Sequence, residues 1–157
     1  MSDNIRGDGR EGVTVTERAS EDVAARTAEA MERADAAGRG AGVRLLDVGP
    51  GRARVGMAVA ERHVNGHGIC HGGYLFLLAD AALAYASNSY GTSAVASGAD
   101  IAFLRPVPLG AELVAEAVER ARTGRSGLYD VTIRSGELVV AELRGRTRQV
   151  PGLPPPV

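Results

Sequence analysis

The sequence predicts an α+β domain in which one antiparallel sheet wraps around a long central helix. Two observations carry the prediction. From Tyr74 to Ala86 the chain is apolar except for Asp80, a run too long for a typical strand. On its C-terminal side, alternating segments are separated by connections of a few residues, as antiparallel neighbours are. An alternating pair also precedes the run, so the order is helix, two strands, long helix and about four strands.

Taken in order, Met1 to Thr16 is rich in Ser, Asp, Asn, Gly and Arg, too polar to offset the entropy of ordering, and reads as a disordered tail over residues 1–16. Ser20 can cap a helix with Glu21 and Asp22 in its first turn. Val23, Ala24, Ala28, Met31 and Ala34 then fall on one face, which predicts a helix over about 21–37 ended by Gly38, Gly40 and Gly42. Val43, Leu45 and Val48 lead through Gly49-Pro50-Gly51 to Ala53, Val55, Met57 and Val59, a hairpin pattern. Asn65 to Gly73 is loop. The apolar helix is expected over about 73–89, stopped by Gly91, with apolar residues on nearly every face so that protein surrounds it. Strands follow over Ala94–Arg105, Glu112–Arg122, Leu128–Arg134 and Leu138–Gln149, with Thr123 to Gly127 as one turn. One domain spans 17–150, and the prolines of 151–157 form a tail that cannot extend a sheet. This layout is the outline of a hotdog fold.

Composition narrows the function. The 157 residues carry 18 Lys and Arg against 19 Asp and Glu, a net charge of -1, without the basic excess that holds a nucleic-acid backbone. Cys70 is the single cysteine, which rules out an internal disulfide or a multi-cysteine metal site and fits a reducing cytoplasm. The opening residues lack an apolar leader, and no run approaches a membrane span. With no Trp and two Phe, the core must be built from small aliphatic side chains and its elements must pack closely.

The chemistry concentrates in Asn65-Gly66-His67-Gly68-Ile69-Cys70-His71-Gly72-Gly73 and the helix it opens. A helix N-terminus offers unpaired N–H groups and partial positive charge, and at Gly72 or Gly73 no Cβ blocks a substrate oxygen from reaching them. Paired glycines also serve plain tight turns. An Asp on a helix is ordinarily satisfied by a strand arginine or by backbone. Asp80, flanked by Leu77, Leu78, Ala79, Ala81 and Ala82, has no local polar partner, which suits an acid–base group with a raised pKa. Eight residues separate Gly72 from Asp80, roughly 12 Å along one helix. One carbonyl cannot touch both, so a shared site requires the two groups to come from different subunits of a two-fold dimer.

His63, His67 and His71 are spaced by four, but the intervening glycines argue against a helix that would align them on a metal, and no metal site is expected. His71 is placed to orient the loop or polarise substrate, Cys70 reads as an inert thiol, and Asn65 is either a turn residue or a ligand of the substrate carbonyl or water. Most strand arginines suit a solvated edge. Arg125-Ser126, in a glycine-flanked turn, is the best candidate phosphate site.

Asn65-x-x-Gly68-x-x-His71-Gly72-Gly73-x-x-Phe76-x-Leu78-Ala79-Asp80, continued by Ala86 and Asn88, resembles the signature of the phenylacetate-pathway (PaaI-type) branch of hotdog acyl-CoA thioesterases. The likeness extends through Ala96-Ser97-Gly98, Phe103-Leu104-Arg105-Pro106 and Thr123 to Val131, covering about Val43 to Gln149. It implies hydrolysis of an aryl- or arylacetyl-CoA to free acid and CoA, without a cofactor, in a homodimer that pairs into a homotetramer. By that resemblance Asp80 is the catalytic base or nucleophile, Gly72 the oxyanion donor, and Asn65 and His71 polar groups around the thioester. Ser97, Gly98, Arg125 and Ser126 fall in segments that resemble those of the CoA channel, Gly73 lies at the substrate, and Tyr74, Phe76 and Asn88 border the acyl pocket. The N-terminal helix and proline tail lie outside the match. Two other readings are a non-catalytic acyl-CoA sensor, which would need a DNA-binding segment that the acidic first forty residues do not resemble, and an enoyl-CoA hydratase or dehydratase, which would need an Asp–His pair.

Overall fold

The computed structural model describes residues 14–153. Its elements are helices α1 (Val15–Ala34), α2 (Ala36–Ala41) and α3 (Gly72–Asn88), and strands β1 (Arg44–Gly49), β2 (Arg52–Ala58), β3 (Ala94–Phe103), β4 (Glu112–Thr123), β5 (Ser126–Ser135) and β6 (Leu138–Gln149). The strands form one sheet in the order β1-β2-β4-β5-β6-β3, every neighbouring pair antiparallel. As expected, the sheet curls around α3.

Alternation decides which face of the sheet meets the helix. Leu113, Ala115 and Ala117 of β4, Tyr129, Val131 and Ile133 of β5, and Ala141 and Leu143 of β6 are buried against Leu75, Leu78, Ala79, Ala82, Leu83 and Ala86. The small side chains predicted to allow close packing do so. At Gly145 a Cβ would stand 2.5 Å from Leu83 Cδ2, so β6 passes α3 at a distance that only glycine permits. The intervening residues Glu116, Asp130, Glu142, Arg144 and Arg146 face outward, with Arg144 donating to both carboxylate oxygens of Asp130 at 2.7 and 2.9 Å.

Five expectations are corrected. The first helix starts at Val15, not near residue 21, because Thr14 and Glu17 form a reciprocal capping box: the Thr14 N–H donates to Glu17 Oε2 at 2.7 Å and the Glu17 N–H to Thr14 Oγ1 at 3.2 Å. Residues 14–16 therefore belong to the helix start, while the rest of the expected tail, 1–13, lies outside the described residues, as do 154–157 of the proline tail. The helix also breaks at Asp35, whose Oδ1 accepts the Gly38 N–H at 2.9 Å and caps α2. Gly38 and Gly40 thus sit inside a second helix, ended by Gly42 at φ 80°.

Ser126, expected in a turn, begins β5 opposite Thr123, leaving Gly124-Arg125 as the two-residue connection, with Gly124 at φ 58°. Strand β3 ends at Phe103, and the Leu104 and Arg105 N–H groups both turn onto Val140 O at 2.8 and 3.2 Å. Finally, α3 is not enclosed all round: Phe76 is exposed, and Leu77, Asp80, Ala81 and Ala84 are half-buried. That side faces α1 and α2, which span it without filling the space. Strand β3 is the last in the sheet, and its outer edge has no partner strand among the described residues.

Candidate functional site

The loop before α3 is a sequence of committed hydrogen bonds. Asn65 Oδ1 accepts the His67 N–H at 2.9 Å and the Ile69 N–H at 3.4 Å, and the Gly68 N–H returns to Asn65 O at 3.0 Å with Gly68 at φ 75°. Asn65 is therefore a turn residue, and its side-chain NH2 has no acceptor among the described residues. The Asn65 and Cys70 ends are tied in turn: Asn65 N–H to Ile69 O at 2.9 Å, Cys70 N–H to Val107 O at 2.8 Å. Burial pushes the Cys70 thiol up, in keeping with an inert group.

His71 caps α3. Its Nδ1 accepts the Gly73 N–H at 2.9 Å, and its carbonyl accepts the N–H groups of Tyr74 at 2.9 Å and Leu75 at 3.4 Å. An acceptor Nδ1 carries no proton, so the neutral ring is protonated on Nε2. Three of the four free donors of the first turn are thereby used by one residue. The Gly72 N–H is the one without an acceptor among the described residues. Of the two glycines, the geometry singles out Gly72 as the donor open to a ligand and takes Gly73 out of that role. A Cβ on Gly72 would stand 3.0 to 3.3 Å from the Phe103 ring, so glycine lets this aromatic lie against the helix start.

His63, which the spacing marked only as one of three histidines weighed for a metal, supports this loop. It is wholly buried, its carbonyl accepts the His71 N–H at 2.7 Å, its Nδ1 accepts the Ala60 N–H at 3.0 Å, and its ring lies 4.6 Å from that of Tyr74. Its Nε2 has no partner among the described residues. Tyr74 is accordingly part of the packing that fixes the helix start. The three histidines do not converge: His63 is interior, His67 exposed, and His71 turned onto Gly73, and the described residues contain no group of three or more His, Cys, Asp or Glu that could hold a metal.

Asp80 lies two turns along α3, on its incompletely covered side. Among the described residues it has neither an ion pair nor a hydrogen bond, so the strand-arginine explanation for it does not apply. Burial, and then the negative charge of Asp35, hold its carboxyl above the ordinary value. Two cavities open onto it, of about 440 Å3 and about 370 Å3. Tyr85, on the wall of the larger one, has a hydroxyl pushed up to about 12 by burial and by Glu32 and Asp35.

Asn88 is corrected. It borders the smaller cavity, but its Nδ2 donates to Ala84 O and Ala94 O, both at 2.9 Å, and its Oδ1 accepts the Ala94 N–H at 3.0 Å. It stitches the end of α3 to β3 and has little left to offer a substrate. Across the sheet, Ser97 and Ser126 come together with Thr123, Arg146 and Thr147 around a cavity of about 320 Å3. Ser97 is the extra residue of a bulge between Ala96 and Gly98, and Gly98 leaves room for Arg146, whose Nη2 a Cβ there would meet at 2.8 Å. Arg125 is exposed at the turn beside this hollow and is not on its wall. Arg146, passed over among the strand arginines, is on its wall, exposed and with its Nη1 donating to Asp100 Oδ2 at 3.3 Å.

Residues 67–142 match the model of the thioesterase superfamily. The chain is 42% identical over 126 residues to the acyl-coenzyme A thioesterase PaaI of Escherichia coli strain K12, covering 80% of this chain and 90% of that protein. The structure of the E. coli PaaI protein from the phenylacetic acid degradation operon superposes with a TM-score of 0.82 at 41% identity, over 84% of this chain and 96% of that one. A variant of the phenylacetic acid degradation protein PaaI from Thermus thermophilus superposes with a TM-score of 0.72 at 36% identity, over 74% of this chain and all (100%) of that one.

Proposed function

From the premise that the chain belongs to the thioesterase superfamily, as a hotdog-fold thioester hydrolase homologous to PaaI, we propose that it hydrolyses an aryl- or arylacetyl-CoA to the free acid and CoA. The observation that carries the chemical reading is a pair of groups on one helix that have no partner among the described residues: the Gly72 N–H, alone without an acceptor in the first turn, and the Asp80 carboxyl, desolvated and without a donor. The aryl preference is supported by the phenylacetic acid setting of two PaaI relatives.

In the proposed reaction the thioester oxygen approaches the Gly72 N–H, where the helix start favours the charge that develops on it. Ionised Asp80 takes a proton from water as the hydroxyl adds to the carbonyl carbon, or adds itself to give a mixed anhydride that water opens. In either course the C–S bond breaks and the departing CoA sulfur ends protonated. Water is the only co-reactant, so no cofactor is required. His71 holds the Gly73 N–H away from the substrate and keeps its own Nε2–H for it, and the Asn65 NH2 offers a second donor. Ser97, Ser126 and Arg146, with exposed Arg125 nearby, suit the phosphates of CoA.

Gly72 and Asp80 stand roughly 12 Å apart on unbroken α3, so one thioester takes its oxyanion donor from one subunit and its carboxylate from the other. The unpaired β3 edge and the exposed Phe76 and Phe103 support a homodimer, and the resemblance to PaaI supports its pairing into a tetramer. An enoyl-CoA hydratase reading finds no support, since no histidine reaches Asp80. The test is thiol release from phenylacetyl-CoA and aliphatic acyl-CoAs by wild type and Asp80→Asn. Equal turnover by the two proteins would remove Asp80 from the mechanism, and release confined to aliphatic substrates would remove the aryl preference.

A further inference from the structure

The two cavities at Asp80 share three residues, Met31, Asp80 and Ala84, and differ in everything else. The larger lies between α1, α2 and α3 and is walled chiefly by Met31, Ala34, Leu77, Ala81 and Ala84 with Tyr85. The smaller follows the C-terminal half of α3 toward Ser87, Asn88, Ser93 and the start of β3. We propose that the larger cavity, roofed by the N-terminal helices, is the acyl chamber, and that Met31 determines acyl length by standing between it and the second cavity. This rests on the acyl-CoA reading above.

Position comes first. The carbon attacked must lie beside Asp80, so the acyl group attached to it must enter a space that Asp80 borders, and only these two of the described cavities qualify. Both have largely apolar walls, and placement and size separate them: the larger lies between facing helices and is lined by Met31, Ala34, Leu77, Ala81 and Ala84, as an apolar acyl group requires, whereas the smaller runs past Ser87 and Asn88 to Val95 and Leu153 at the start of β3. Its volume of about 440 Å3 makes the larger cavity ample for a single aromatic ring with its linker.

The space is a consequence of local sequence. Ala34, Ala37 and Gly38 above and Ala81 and Ala84 below keep the facing surfaces thin. The break at Asp35 turns the chain at that level, and its carboxylate folds back so closely over Gly38 that a Cβ there would collide with it. Met31 is held in register by its own helix. Ala24 and Ala28, at i-7 and i-3 from it, are buried, Glu21 pairs with Arg52 at 3.3 Å, and Glu32 Oε1 accepts the Leu45 N–H at 3.3 Å. A thioether chain in this place fills the gap between cavities while remaining adaptable.

The test is kcat/KM by thiol release for propionyl-, phenylacetyl- and decanoyl-CoA, with wild type, Met31→Ala and Ala34→Met. Met31→Ala should join the cavities and raise the decanoyl-to-phenylacetyl ratio about tenfold. Ala34→Met, at an exposed helix position, should fill the chamber and lower the phenylacetyl-to-propionyl ratio about tenfold. If wild type hydrolyses these esters and Ala34→Met leaves its ratio within about twofold, the chamber assignment is wrong and the thioesterase reading stands; the same result for folded Met31→Ala removes the role of Met31. Should wild type release thiol from none of them, both readings fall. If Met31→Ala does not fold, Met31→Val, which still shortens the side chain, takes its place with the same direction expected.

Discussion

His71 Nδ1 accepts the Gly73 N–H at 2.9 Å, so the residue that caps α3 also decides which of the paired glycines stays open. His71→Ala should lower stability by about 1 kcal/mol through loss of the cap and should lower kcat by releasing a competing N–H. His71→Asn, which can cap, should recover most of the stability in thermal unfolding but not the activity. Full activity in the alanine variant would confine His71 to a capping role.

Gly72 is limited by Phe103, whose ring atoms lie 3.0 to 3.3 Å from where a Cβ would be. Gly72→Ala keeps the N–H but must displace the ring or the helix start, and a misplacement of an ångström can cost about 100-fold in rate. Because Phe103 is exposed, Phe103→Ala should relieve the contact. Steady-state kinetics of the double variant should then exceed those of Gly72→Ala alone.

Asp80→Asn should reduce hydrolysis by about 100- to 10,000-fold while preserving the fold. It should also stabilise the protein at neutral pH. The folded-state pKa of Asp80 is raised, so between the ordinary carboxylate value and the raised one the folded protein binds more protons than the unfolded chain, and stability falls as pH rises through that window. The variant should therefore have the higher Tm at pH 7, with the difference vanishing in acid.

Asp35 adds to the upward shift of Asp80 by its charge. Asp35→Asn should move the acid limb of the kcat/KM profile to lower pH, because ionised Asp80 then forms more readily. A limb that stays in place would mean that the two carboxyls are not coupled during catalysis.

Asn88→Ala should cost about 2 to 3 kcal/mol by leaving the Ala94 N–H and carbonyl without their side-chain partner, while the Ala84 carbonyl keeps the Ser87 hydroxyl at 3.2 Å. Its KM for acyl-CoA should be unchanged below the unfolding transition. A raised KM with an unaltered Tm would restore it to the acyl pocket.

The strands and central helix were legible because their signals are local. Strand β6 keeps its expected bounds, Leu138 to Gln149, between a Gly-containing turn and a proline, and α3 follows from one apolar run. The start of α1 was legible too, in Thr14-Val15-Thr16-Glu17, but Ser20 with its acidic neighbours is an equally good cap, and spacing does not rank the two. What could not be read was long-range. Asn88 meets its acceptor across a turn at Ala94, His63 reaches Tyr74 through the loop, and the chamber beside Asp80 depends on where α1 lands. Gly72 and Gly73 look alike in one dimension and part only when His71 chooses between them.

Among the described residues, the outer edge of strand β3 has no partner strand, and Val95 and Phe103 are exposed. In dilute solution such an edge is a hazard, because any extended segment can add to it, and aggregation competes with proper association. If two chains join there, concentration becomes a control variable: specific activity rises with protein level, and newly made chains are both silent and vulnerable until each has met its twin.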